Sequence, residues 1–342
     1  DNLKIIDVII EEKPTGEIAV GAGVGTSGGS VSFGIKENNF LGRGISLDTN
    51  LTLSENTIKG KFVYSKPNFN YTDNTLHTSL SSTSTDNLET SGYKTSNIAF
   101  SLGTGFEQYE DLYFTPSLAA SLETLETSGL ASSTLKNNDG DYFDLYFNYS
   151  LDNDLRNQRY QPSDGHRNIF SQELPLTSEK MEIVNSFTSS IYRELHGETV
   201  GRAVFFSKAV NALSNEDVRV SKWLFIPSSK LRGFEAGKVG PVVNGDFIGG
   251  NYYTGVSLSS TLPKVLPSLQ NLDVSLFVDT ANIWGVDYDG KIDDSNVLRS
   301  SAGVSLDVGT PIGPLSFSLS SALSKASTDK TESFRFNLGT TF

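Results

Sequence analysis

The chain has 342 residues, of which 37% are hydrophobic, with a formal charge of −13, no cysteine and three histidines. No stretch approaches the ~18 to 20 apolar residues of a membrane-spanning helix. Without thiols there are no disulfides, thiolate nucleophiles or thiolate metal sites, and the acidic balance excludes nucleic acid, whose phosphates call for clustered Lys and Arg.

The chain opens DNLKIIDVIIEEKP, with no signal-peptide pattern. Leu3, Ile5, Val8 and Ile10 fall at strand-like spacing before Lys13-Pro14, so residues 1–14 read as the tail of a preceding domain. From residue 15 onward one pattern repeats: segments of about ten residues alternate apolar and polar, with turn residues between them and no convincing helical period. The segments are 17–25, 30–37, 44–53, 57–66, 75–85, 96–107, 112–125, 142–151, 167–175, 181–194, 199–210, 250–261, 271–281, 297–309, 313–323 and 332–342.

In the first segment, EIAVGAGVG, Ile18, Val20, Ala22 and Val24 take one face and Gly21, Gly23 and Gly25 the other. Glycine adds entropy cost and no packing to a strand, so this one pairs weakly, or else its glycines only make room for chain inside the fold. The following GTSGG places Ser27 in a G-x-S-x-G pattern, but a nucleophile elbow needs a helix after it and another strand, SVSFGI, follows. The stretch reads as a hairpin. Phe143, Leu145, Phe147 and Tyr149 later oppose Tyr142, Asp144, Tyr146 and Asn148, and Leu272, Val274, Leu276 and Val278 oppose Phe277 and Asp279. His77, His166 and His196 lie far apart at no metal-ligand spacing and read as surface residues. The acidic runs DYDGKIDD and KNNDGD lack the terminal glutamate of a calcium loop. No enzyme chemistry, cofactor or metal emerges.

The polar faces are rich in Ser, Thr, Asn and Asp rather than in long charged chains. A soluble all-β fold must bury apolar faces against each other; an outer-membrane barrel instead turns one apolar face per strand to lipid and the polar face to a wet lumen. About sixteen strands is an even number in the range of bacterial barrels. Links after odd strands are then extracellular and long, such as 211–249, and links after even strands periplasmic and short, with 152–166 as the exception.

The long link after the eleventh strand contains SSKLRGFEAGKVGP, Ser228 to Pro241. With it come NNFLGRG (38–44), YQPSDGHR (160–167), LFVDTANIW (276–284), TPIGPLSFSL (310–319) and the ending FRFNLGTTF. In this order the six stretches resemble the BamA outer-membrane insertase family, in which a V-R-G-F loop followed by G-P folds back into the barrel. Arg232, Gly233, Phe234, Gly240 and Pro241 match that motif; Leu231 stands for its valine, Ala281 for a strand glycine and Thr310 for a serine.

The resemblance implies an all-β, 16-stranded antiparallel transmembrane barrel over 15–342 with an inward-folded extracellular loop, in the outer membrane of a Gram-negative bacterium. Residues 1–14 become the end of the last periplasmic POTRA domain. It implies that Arg232 pairs with Asp279, beside Phe277, a contact that facing parity alone also makes sensible, since a guanidinium brought into the lumen calls for a carboxylate. It further implies a lateral seam between the first and last strands, marked by Gly21, Gly23, Gly25 and Gly339, and a C-terminal signal in Phe334, Phe336, Leu338 and Phe342. The partners it implies are unfolded outer-membrane protein clients, accessory assembly lipoproteins and outer-membrane lipid. A two-partner-secretion or TamA-like translocation pore shares the Arg-Gly-Phe loop, and a general porin does not need it.

Overall fold

The structure, a computed structural model, describes residues 14–26, 28–88, 92–129, 133–159, 161–197, 199–214, 217–243, 246–262, 272–286, 292, 297–310 and 313–338. Its strands are β1 (Gly16–Gly25), β2 (Gly28–Phe40), β3 (Ile45–Ser54), β4 (Thr57–Lys66), β5 (Thr75–Asn87), β6 (Tyr93–Tyr109), β7 (Leu112–Thr127), β8 (Gly140–Asp154), β9 (Gly165–Ser178), β10 (Glu182–His196) and β11 (Thr199–Ala212). Then come β12 (Val242–Val243), β13 (Asp246–Phe247), β14 (Tyr252–Thr261), β15 (Leu272–Trp284), β16 (Arg299–Thr310), β17 (Gly313–Ser324) and β18 (Phe334–Leu338). Sixteen of them close an antiparallel barrel in which β11 neighbours β14 and β18 meets β1, while β12 and β13 pair as a separate hairpin inside the long loop.

The alternation sets which side faces where. Ile18 and Val20 are each 74% exposed on the outer wall, and Leu122 and Leu319 exceed half exposure, while Asp144, Asp279 and Ser301 on the inner wall are fully or almost fully buried. Apolar outside and polar inside is the inverse of a soluble sheet and the arrangement a lipid-embedded barrel requires. No described helix is long and apolar enough to cross a membrane.

The apolar core lies inside the barrel and is supplied largely by the loop between β11 and β14. Val218, Val220 and Trp223 join Leu125, Tyr142 and Val210 of the wall in one cluster. Leu231, Phe234 and Val239 join Phe206, Ala281 and Ile283 in another.

Strand ends depart from the sequence expectation where that loop competes for backbone hydrogen bonds. The last strand begins at Phe334 rather than 332, because Thr331 bridges Phe234 and the Glu332 N–H donates to the Gly233 carbonyl at 3.1 Å. Likewise β14 begins at Tyr252 rather than 250, because Gly250 and Leu224 exchange bonds of 2.9 and 3.0 Å. The long periplasmic link after β8 has a structural reason too. Arg156 folds back on Asp154 at 2.7 Å, Arg167 on Asp152 at 2.6 Å, and Gln161 reaches Asp273 of β15 at 3.1 Å, so the turn extends from β8 across part of the periplasmic mouth. Residues 1–13, expected to end a POTRA domain, lie outside the described residues, as do Ser27, Gly339 and Phe342.

Candidate functional site

The loop between β11 and β14 enters the lumen in three steps, each fixed by a charged group. On its first limb, Arg219 is fully buried and faces three acids from three wall strands: Asp144 at 2.7 Å, Glu123 at 3.2 Å and Glu182 at 3.5 Å. Its backbone N–H also donates to Glu182, and its guanidinium lies 4.4 Å from the centre of the Tyr142 ring. Burial pulls the Arg219 guanidinium down, but Glu123, Glu182 and Asp144 outweigh it and hold the group above the ordinary arginine value.

At the tip stand the four motif residues. Arg232 Nε and Nη2 donate to the two oxygens of Asp279 at 2.7 and 2.8 Å, and the Arg232 backbone N–H adds a third bond at 3.0 Å. Ser257 Oγ donates to the same carboxylate at 2.6 Å. The guanidinium stacks 3.5 Å from the centre of the Phe277 ring, and Ser301 Oγ donates to the Arg232 carbonyl. The planar guanidinium is thus used on its edge by a fork and on its face by a ring, a geometry lysine cannot reproduce. Gly233 holds φ of 88°, and a Cβ there would stand 3.1 Å from Ser301 Cβ. Leu231 and Phe234, on either side, are buried.

On the return limb, the Gly240 N–H donates to Asp329 Oδ1 at 3.2 Å, and Asp329 is paired with Arg299 at 2.9 Å. Asp329 belongs to the link that leads into β18, so the loop is fastened to the wall at β7, β8 and β10, at β15, and at the approach to the last strand.

At the seam the first strand meets the last. β1 pairs with β2 along its whole length, Gly16 to Gly25, whereas its described register with β18 consists of Val24 opposite Leu338 and Gly25 opposite Asn337. The Thr26 N–H donates to the Phe336 carbonyl at 3.3 Å just beyond. Gly21 and Gly23 face the lumen here, and Phe334 is stacked between Phe317 and Phe336 at 6.3 and 6.2 Å on the outer face. Gly25 pairs with Gly28 across a strand-to-strand turn, with no helix after it, so the G-x-S-x-G stretch lacks the elbow that pattern needs. His77 is half-buried against Ser65 Oγ at 3.0 Å and His166 is half-buried as well, so of the three histidines His196 alone is exposed.

Sequence reasoning named the tip and missed two anchors. The Arg219 site had a legible signal: Glu123, Asp144 and Glu182 all occupy inward positions near the outer ends of their strands, and three carboxylates turned inward call for a cation. The tie at Asp329 had none, because the Gly240 N–H is a backbone group, which any sequence supplies, and it lies far off in the chain.

A family profile described as the Omp85 superfamily domain matches residues 39–342. An outer membrane protein assembly factor BamA from Neorickettsia risticii is 22% identical over 345 residues, covering 99% of this chain and 46% of that protein. A BamA from Neisseria meningitidis serogroup B is 31% identical over 139 residues, 33% of this chain and 17% of that protein. The chain therefore spans less than half the length of these curated relatives. Among solved structures, BamA from Haemophilus ducreyi lacking POTRA domains 1–3 superposes with a TM-score of 0.87 at 26% identity, covering 96% of this chain and 71% of that one. CdiB from Acinetobacter baumannii shares the fold at 14% identity and a TM-score of 0.59, over 94% of this chain and 59% of its own.

Proposed function

The chain belongs to the Omp85 superfamily, as a BamA-type barrel of the Gram-negative outer membrane, and from that premise we propose that it folds and inserts other outer-membrane barrels through a lateral gate between β1 and β18. The mechanism is physical and breaks no bond. When the seam parts, β1 presents an unpaired edge of N–H and C=O groups, and an incoming client strand satisfies them by adding to the sheet. Its clients are unfolded outer-membrane proteins, and accessory assembly lipoproteins deliver them.

The observation that carries this reading is the glycine-lined inner face of β1, the strand on which the barrel closes. Val24 and Gly25 meet β18 at Leu338 and Asn337 among the described residues, next to Gly21 and Gly23, which turn to the lumen and contribute no side-chain packing. Glycine adds entropy cost and no packing to a strand, so a seam that includes β1 parts at lower cost than a ladder between strands with full side chains. The docked loop meanwhile holds the rest of the wall together.

The test is the folding rate of an unfolded outer-membrane barrel into phospholipid vesicles, with and without this protein already inserted. Because the chain has no cysteine, a Val24→Cys, Leu338→Cys pair provides a unique cross-link, and directly opposed strand residues lie within disulfide reach. Acceleration that vanishes on oxidation and returns on reduction supports the gate. Acceleration that survives oxidation refutes the gate, and absent acceleration with a steady conductance replaces the insertase reading with the translocation pore.

A further inference from the structure

The inward loop is bonded to the approach to the last strand and to that strand's second residue. The link from β17 runs alongside the loop tip as if it were a strand: Thr331 bridges Phe234, the Glu235 N–H donates to the Lys330 carbonyl at 3.1 Å, and the Lys330 N–H donates to the Lys238 carbonyl at 3.0 Å. The side chain of Arg335, the second residue of β18, completes the contact. Its Nη1 donates to the Ser228 carbonyl at 3.0 Å and its Nη2 to the Phe234 carbonyl at 2.6 Å, one on each side of Arg232. Its Nε donates to Glu332 at 2.8 Å, and the residue is 8% exposed.

One guanidinium thus clamps both flanks of the loop tip from the seam strand, while the tip's own arginine is held by β15. A buried guanidinium cannot leave two carbonyls without new partners, so the loop tip and the start of β18 shift together or not at all. We propose that Arg335 is a positioning residue that ties the seam strand to the docked loop, making loop docking and seam closure a single two-state switch. The inference rests on the reading of the β1–β18 seam as a gate, and it adds what controls that gate. When the tip leaves Asp279, Arg335 carries the displacement into β18, and the seam loses the strand it closes on.

The experiment reads the seam alone, without client. The protein carrying the Val24→Cys, Leu338→Cys pair is placed in phospholipid vesicles in a glutathione buffer, and the ratio of cross-linked to free protein is measured in four backgrounds: parent, Asp279→Asn, Arg335→Gln and both. Undocking by Asp279→Asn lowers the ratio ~5-fold or more in the parent, the lower end of typical coupling between sites, and less than ~2-fold when Arg335→Gln is present. An equal fall in both backgrounds overturns the proposal, and so does no fall in the parent. Arg335→Lys keeps the charge but cannot span both carbonyls, so it uncouples as well; full coupling in that variant overturns the clamp even if Arg335→Gln fails to fold. Coupling without any acceleration of client folding leaves this inference standing and removes the insertase reading.

Discussion

Replacing Arg232 with alanine should release the loop tip, and the geometry sets the size of the effect. Asp279 is fully buried and accepts four bonds, of which the side chain of Arg232 supplies two, at 2.7 and 2.8 Å, together with the only positive charge within salt-bridge distance of it among the described residues. Removing one partner of a buried pair costs ~3 to 5 kcal/mol, chiefly through the carboxylate left behind. Loss of the stack on Phe277 adds ~0.5 to 2 kcal/mol. Two effects work the other way: the Arg232 side chain is 19% exposed, so water reaches part of the site, and the backbone N–H at 3.0 Å and Ser257 at 2.6 Å remain. A net ~3 to 4 kcal/mol follows, or ~10²- to 10³-fold in the ratio of docked to released loop. Hydrogen exchange of the amides between residues 228 and 240, in vesicles, measures that ratio. Arg232→Lys should fall in between, since it keeps charge and loses the fork, and exchanging the charges as Arg232→Asp with Asp279→Arg should recover part of what either reversal loses. A change below ~10-fold for Arg232→Ala, or a double reversal no better than its singles, would refute the reasoning.

Other perturbations have equally defined outcomes. Arg219→Met leaves Glu123, Asp144 and Glu182 without their guanidinium and should destabilise the barrel by ~3 to 5 kcal/mol in denaturant unfolding, with recovery when the three acids are changed together to their amides. Gly233→Ala should cost ~1 to 2 kcal/mol in loop docking, because the residue holds φ of 88° and the new methyl meets Ser301. Lys230, on the loop, has its amine pulled below the ordinary lysine value, first by burial and then by Arg202. Its charged form therefore opposes docking in full below that depressed value, and the opposition disappears as pH rises toward the ordinary one; Lys230→Met should slow amide exchange in the loop at neutral pH and remove this pH dependence. Gln161→Ala frees the periplasmic turn from Asp273 and should raise proteolytic cleavage between residues 155 and 164.

Strand number and facing were legible because a lipid-embedded barrel writes its inside and outside at period two: Tyr142, Asp144 and Tyr146 all turned inward, and Phe143 outward, as the alternation requires. The same parity turned Asp279 into the lumen, where Arg232 lies against it. Legibility failed where chain distant in sequence supplied the partner. Nothing local indicates that Thr331 and Glu332 turn to Phe234 and Gly233, or that Gly250 pairs with Leu224. Arg335 looks, in FRFNL, like any polar residue of an amphipathic strand, and its partners on the loop are backbone carbonyls.

The height of the wall varies around the barrel in a way that bears on its mechanics. β6, β7 and β8 run to 17, 16 and 15 residues, and in the strand order they stand on the far side from the place where β18 meets β1, whose length is 10. A hoop slit along one line flexes most at the point diametrically opposite the slit, where the bending moment peaks. Here that point falls between β8 and β9, of 15 and 14 residues, beside the tallest part of the wall, and the load is shared along long rows of hydrogen bonds. Each bond then takes a small angular strain, so the proposed gate would part without any interior row slipping in register.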